Sequence, residues 1–279
     1  LGSEVIMSDL NMIACPRGVS LAGLRPVFVD CTDDLRLDPT KIKDAMCQET
    51  AAILATHIYG RRCDMEAVHN EARGCVVIED LAEAHGVLPH PETQVACWSF
   101  YKNKIVYGEE GGAVWFKDPE VAQIARTLRS LGFTEDHDFL HIPRGHNYRM
   151  SNCHSRLILD SHSQFHSNLA KRRAVETLYN EMVPKEYQMP PRDVVWVYDL
   201  RIPGLLESKQ TRIIKTLNEQ EVAARHCFKP MSQQAEYRDG RLISENAKRL
   251  AKEVIYLPAS PWFTRFDVKR IVAKFLNAL

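Results

Sequence analysis

The chain has 279 residues, 45% of them hydrophobic, and its 36 basic and 36 acidic side chains leave no formal net charge. That length supports one large domain or two unequal ones, and the balanced charge offers neither nucleic acid nor a membrane surface an electrostatic handle. No apolar run is long enough to span a bilayer, no signal-peptide pattern opens the chain, and the eight scattered cysteines read as reduced thiols of a cytoplasmic protein. The eleven histidines include no HExxH and no paired Cys/His spacing, so no metal site is expected.

In chain order, short β-branched apolar runs predict strands at EVIMSD (4–9), RPVFVD (25–30), TAAILATHI (50–58), CVVIED (75–80), VACWSF (95–100) and GAVWF (112–116). Helical patterns fall at 15–22, 39–47, 64–73 and 118–131, two of them opened by Asp-Pro, a capping carboxylate before a first-turn proline. Apolar strands alternating with helices predict an α/β fold with a large, mainly parallel sheet covered on both faces, and ligands at the carboxyl ends of its strands. Trp98 and Trp115 read as core. From 150 to 183 the pattern is one long helix; after a proline-rich break, VVWVYDLRI (194–202) predicts a strand, 207–217 and 219–226 helices, and 267–279 a closing helix. These make a smaller α+β domain at the C-terminus.

Three strand ends carry chemistry. CVVIED ends on Glu79-Asp80, where a buried carboxylate needs a partner. VACWSF delivers Ser99, whose hydroxyl suits a phosphate, and Lys104 follows five residues later, with Lys102 as its competitor. A lysine in a cleft can form a Schiff base with an aldehyde, and a carboxylate, a serine and such a lysine are the equipment of pyridoxal phosphate (PLP) enzymes.

The motifs GSEVIMSDLNM (2–12), LRPVFVD (24–30), HIYGRRCDM (57–65), EDLAEAHG (79–86), SFYKNKIVYGEEGG (99–112), GHNYRMS (145–151) and FKPMSQQAEY (228–237) stand in the order of those of the DegT-type nucleotide-sugar aminotransferases, which the chain resembles over nearly its whole length. The resemblance implies PLP fold type I, with residues 1–163 as the PLP-binding large domain, its N-terminal part lacking, and 164–279 as a linking helix and small domain. It implies that Lys104 would hold the cofactor as a Schiff base and shuttle a proton, that Asp80 would pair with the pyridinium nitrogen, and that Ser99 would hold the phosphate. Asn147 would reach a phosphate across the interface of a homodimer with shared active sites. Met12 and Glu83 stand where the family has a stacking aromatic and a glutamine; a carboxylate at 83 must be protonated or paired. Tyr59 and Lys229 are candidates for contact with substrate. The family's upstream phosphate-binding turn is absent, so either a preceding segment supplies it or phosphate affinity is reduced. The implied reaction moves an amino group, from glutamate, to a keto sugar on a nucleotide; decarboxylation or elimination on an amino acid or modified nucleotide is the alternative, and a non-catalytic scaffold a third reading.

Overall fold

The computed structural model describes residues 2–134, 139–238 and 244–279. Strands β1 (Glu4–Ser8), β2 (Arg25–Val29), β3 (Thr50–Thr56), β4 (Val76–Asp80), β5 (Val95–Ser99) and β6 (Gly112–Phe116) form one sheet in the order β2-β1-β3-β4-β5-β6. The first five are parallel, and β6 pairs antiparallel with β5. Helices α1 (Ala14–Leu21), α2 (Pro39–Ala45) and α3 (Met65–Ala72) connect successive parallel strands. The carboxylates of Asp38 and Asp64 accept hydrogen bonds from Thr40 and Ala67 N–H, so α2 and α3 begin where their caps dictate. β1 is buried at every position, which is why it reads as an unbroken apolar run. The chain leaves β1 for β2 on one side and returns to β3 on the other, so the strand order reverses there and opens a crevice at the carboxyl ends.

Trp115, expected in the core, is 42% exposed. It lies on the edge strand β6, and the helix that follows, α4 (Pro119–Arg129), buries none of its residues. The long helix expected over 150–183 is two helices, α5 (Asn152–Ser163) and α6 (Phe165–Met182), broken at Gln164. There the Gln164 N–H bonds back to Ser161 in a tightened turn, and the ring of Phe165 seats against Gly86. Gly86 has φ +106°, and a Cβ on it would stand 2.9 Å from that ring, so the position requires glycine.

The C-terminal part holds a second sheet of β7 (Tyr198–Arg201), β8 (Arg225–His226) and β9 (Val254–Leu257), order β7-β9-β8, antiparallel throughout. Helices α7 (Glu207–Glu219) and α9 (Arg265–Ala278) pack with it around Val175, Tyr179, Leu200, Ile255 and Phe275, while α8 (Glu245–Glu253) turns Ala247, Leu250 and Ala251 to a different cluster. The strand expected at 194–202 is paired only over β7. The helix expected at 219–226 does not form: Glu221 is left-handed (φ +63°), and the chain turns there into β8. A separate cluster containing Leu10, Ile58, Tyr59, Trp196, Cys227 and Leu250 joins the two sheets. Asp30, at the end of β2, accepts the Asn246 and Ala247 N–H groups and so caps α8 from the large sheet.

Candidate active site

Four parallel strands end on one cavity of about 540 Å³. The loop after β1 brings Met12 and the first turn of α1 brings Cys15, β3 brings Thr56, β4 brings Asp80 and β5 brings Ser99; Lys102 and Lys104 follow on the next loop, and the second sheet's side closes the wall with Trp196, Arg225, Phe228 and Tyr256.

Alternation along β4 sends its two terminal carboxylates to opposite faces. Glu79 is fully buried away from the cavity and is held by His57 Nε2 at 2.9 Å and His90 N–H at 2.6 Å. The Cys63 N–H donates to His57 Nδ1 at 3.0 Å, which fixes the imidazole with its proton on Nε2, toward Glu79. Asp80 lines the cavity. Its Oδ1 accepts from Ala82 N–H at 2.9 Å and its Oδ2 from the Cys15 thiol at 3.1 Å. Burial, then the Asp80 charge, push the Cys15 thiol well above its ordinary pKa, so it stays a donor to the carboxylate.

Lys104 is the more buried of the two lysines. Its N–H bonds to Tyr101 C=O at 2.8 Å, and its ammonium sits 3.9 Å over the Trp196 ring and 3.8 Å from Glu83 Oε1. Lys102 is exposed, its ammonium 5.8 Å over Tyr101. Glu83 Oε2 accepts the Tyr59 N–H at 2.7 Å. Burial raises the Glu83 carboxyl to about 7, although Lys104 and that N–H pull it down. Burial, and then the Lys104 charge, lower His85 to about 4; it is therefore neutral, with Nδ1 accepting from Val106 N–H at 3.1 Å. Ser99 Oγ accepts from Tyr101 N–H at 3.3 Å at the cavity wall.

Of the residues singled out from sequence, Met12, Asp80, Glu83, Ser99 and Lys104 thus line one cavity. Tyr59, expected at the substrate, lies instead beneath it: left-handed at φ +51°, fully buried, its ring packed on Phe228 and Tyr256 at centroid distances of 5.4 Å. It supports the site from behind, through its N–H on Glu83 and through its ring against the lining aromatics. Lys229 is paired with Glu207 outside the cavity lining. Asn147 is exposed away from this cavity, where its side-chain oxygen accepts from Arg149 Nε at 3.2 Å. Sequence reasoning missed Cys15, Trp196, Arg225, Phe228 and Tyr256. Only Phe228, which opens the FKPMSQQAEY motif, carried a signal; Cys15 is brought in by the first turn of α1, and the others by the second sheet and the segment that leads into it.

The sequence profile of the DegT/DnrJ/EryC1/StrS aminotransferase family matches residues 1–276. The chain belongs to that family. Among family relatives, the GDP-perosamine synthase of Caulobacter vibrioides is 30% identical over 293 residues, covering 98% of this chain and 78% of that one. The dTDP-3-amino-3,4,6-trideoxy-alpha-D-glucose transaminase of Streptomyces venezuelae is 30% identical over 291 residues, covering 97% and 75%. Among solved structures, S. venezuelae DesV in complex with a ketimine intermediate superposes with a TM-score of 0.87 at 26% identity, covering 98% of this chain and 78% of DesV. The family's α/β architecture is the one described above, a mostly parallel six-stranded sheet with helices.

Proposed function

We propose that this chain is a PLP-dependent aminotransferase that moves an amino group from glutamate to a keto sugar carried on a nucleotide. One observation carries the reading: Asp80, Ser99 and Lys104, from two adjacent strand ends and the loop between them and β6, converge on a single cavity in a chain of the aminotransferase family. The relatives named above, a GDP-sugar synthase and a dTDP-sugar transaminase, support the substrate class.

The residues present fit the cofactor. The cavity volume lies in the range of small-molecule sites, a carboxylate steadied by a thiol and an N–H stands in one wall, and an amine stands in another. When bound, PLP supplies an electron sink for negative charge at the carbon that bears the transferred nitrogen. Asp80 would keep a proton on the pyridine nitrogen. Ser99 would hold the phosphate, with Met12 against the ring. Lys104 presents the amine that an aldehyde cofactor requires and moves the proton at the substrate carbon. Trp196, Phe228 and Tyr256 exclude water from that side.

We further assign Asn147 to a partner's cavity in a homodimer, which its exposure and its place outside the lining of its own cavity support. Its eight cysteines are all free, which suits the reducing cytoplasm, and no described helix is long and apolar enough to cross a membrane. The test is the visible absorption of PLP-loaded protein before and after L-glutamate. A visible band that glutamate bleaches and a 2-keto acid restores supports transamination; a band indifferent to every amino donor, or no band at all, overturns it.

A further inference from the structure

Glu83 is a carboxylate enclosed by the protein at the edge of the cavity, 4% exposed, and its two oxygens are not equivalent. Oε2 is committed as an acceptor to the Tyr59 N–H at 2.7 Å. Oε1 faces the Lys104 ammonium at 3.8 Å. A proton arriving on this carboxyl therefore has one place to go, the oxygen turned toward the lysine. We propose that Glu83 is the proton store of Lys104: Oε1 takes a proton from the ammonium, leaving a neutral amine facing the cavity, and returns it when the amine is next protonated. In that step one N–H bond breaks and one O–H bond forms, and the nitrogen keeps the electron pair, so no co-reactant is needed. Bringing the pair from 3.8 Å to hydrogen-bond range, about 3 Å, takes a small rotation in the flexible lysine stem.

The surroundings set the balance between the two sites for the proton. Burial disfavours the Glu83 charge, as do the neighbouring carboxylates Asp80 on β4 and Asp199 on β7, while Lys104 and the Tyr59 N–H favour it. Asp199 is itself held by Arg61 and Arg192. The Tyr256 and Cys227 side chains, from β9 and the turn after β8, feel the Glu83 charge and stay protonated, raised to about 12 first by burial. Trp196 steadies the charged form of the lysine through its ring face. With burial set against one cation and one N–H, Glu83 comes to about 7, where a carboxyl both gives and accepts a proton. A glutamine at this position would accept the same N–H but store no proton.

The inference rests on the aminotransferase reading for its use in turnover, yet its test needs no cofactor, so the two fail separately. In PLP-free protein, the acylation of Lys104 by acetic anhydride is followed by mass spectrometry across pH, with exposed Lys102 as the internal reference. Loss of the carboxylate in Glu83→Gln removes the negative charge that favours the ammonium, so at a given pH the Lys104 rate relative to Lys102 rises about tenfold. Coincident wild-type and Glu83→Gln profiles would overturn the proposal. Should the variant fail to unfold cooperatively in urea, the wild-type profile alone decides. Lys104 then shows a second inflection where Glu83 ionises, absent from Lys102; a single inflection at Lys104 sinks the idea.

Discussion

Arg61 and Asp199 stand 138 residues apart in sequence and meet as a two-pronged ion pair, Nη1 to Oδ2 at 2.8 Å and Nη2 to Oδ1 at 3.2 Å, almost fully buried. Arg192 donates to the same carboxylate at 2.7 Å and to Glu176 at 2.6 Å, so two cations and two anions compensate one another between the large sheet and the second one. Each charge is tolerable in the interior only because the others are present.

Removing one partner exposes that dependence. Asp199→Ala leaves the buried Arg61 guanidinium with only the Pro190 carbonyl and Arg192 with Glu176, and the expected loss is about 3–5 kcal/mol of folding free energy. Urea unfolding monitored by circular dichroism checks it; a loss below about 1 kcal/mol would show that the network is redundant.

Gly60 carries a second constraint at the same junction. Its φ is +81°, and a Cβ there would lie 1.9 Å from the Val194 carbonyl oxygen. Gly60→Ala is expected to cost more than about 3 kcal/mol, from backbone strain and the clash together. Because the neighbouring Tyr59 N–H holds Glu83, the variant is also expected to shift the Lys104 labelling profile, which separates this position from a merely destabilising one.

Glu83 gives stability a pH dependence of definite sign. Its carboxyl has an ordinary value of 4.5 and stands at about 7 in the folded chain, so the folded state binds more protons than the unfolded one between those values. The contribution is complete below 4.5 and is lost as pH rises through about 7, a difference of roughly 3 kcal/mol at most. Stability of wild type relative to Glu83→Gln, measured in urea from pH 5 to 8, is therefore expected to fall with rising pH. A flat difference would show that Glu83 is charged across the range.

Lys104→Ala should abolish the visible band of PLP-loaded protein, whereas Lys102→Ala should retain it. If the band survives in Lys104→Ala and vanishes in Lys102→Ala, the two lysines exchange roles.

The large sheet was legible in the sequence because each of its strands is a short apolar run bounded by turns, and GAVWF coincides with β6. Of the second sheet, only β7 was, inside the strand expected at 194–202. β8 is two residues long, and α8 passes directly into β9 without a glycine or proline between Glu253 and Val254. Asp80 and Ser99 could be found because they end strands, and Lys104 because it follows five residues after Ser99 within the SFYKNKIVYGEEGG motif. Trp196 and Tyr256 could not, since an aromatic within an apolar run reads as core until the second sheet is placed over the cavity. The same contact explains Tyr59: its ring fills the seam between the sheets rather than facing a substrate. The break at Gln164 had no local signature because it is imposed by Phe165 seating on Gly86, a contact across 79 residues.

β9, the middle strand of the second sheet, is also the last strand in the chain. On a ribosome, β7 and β8 emerge first, and apart from the Gln188–Leu200 bridge they have no strand to pair with until residues 254–257 arrive to separate and join them. Tyr256 is delivered by that same strand, and Arg225 and Phe228 are fixed only once β8 is. The lysine, aspartate and serine are thus translated early and wait beside an unfinished wall. Nascent chains arrested before residue 254 should already protect the large sheet from proteolysis while failing to retain PLP, making cofactor capture wait on the synthesis of residues 254–257.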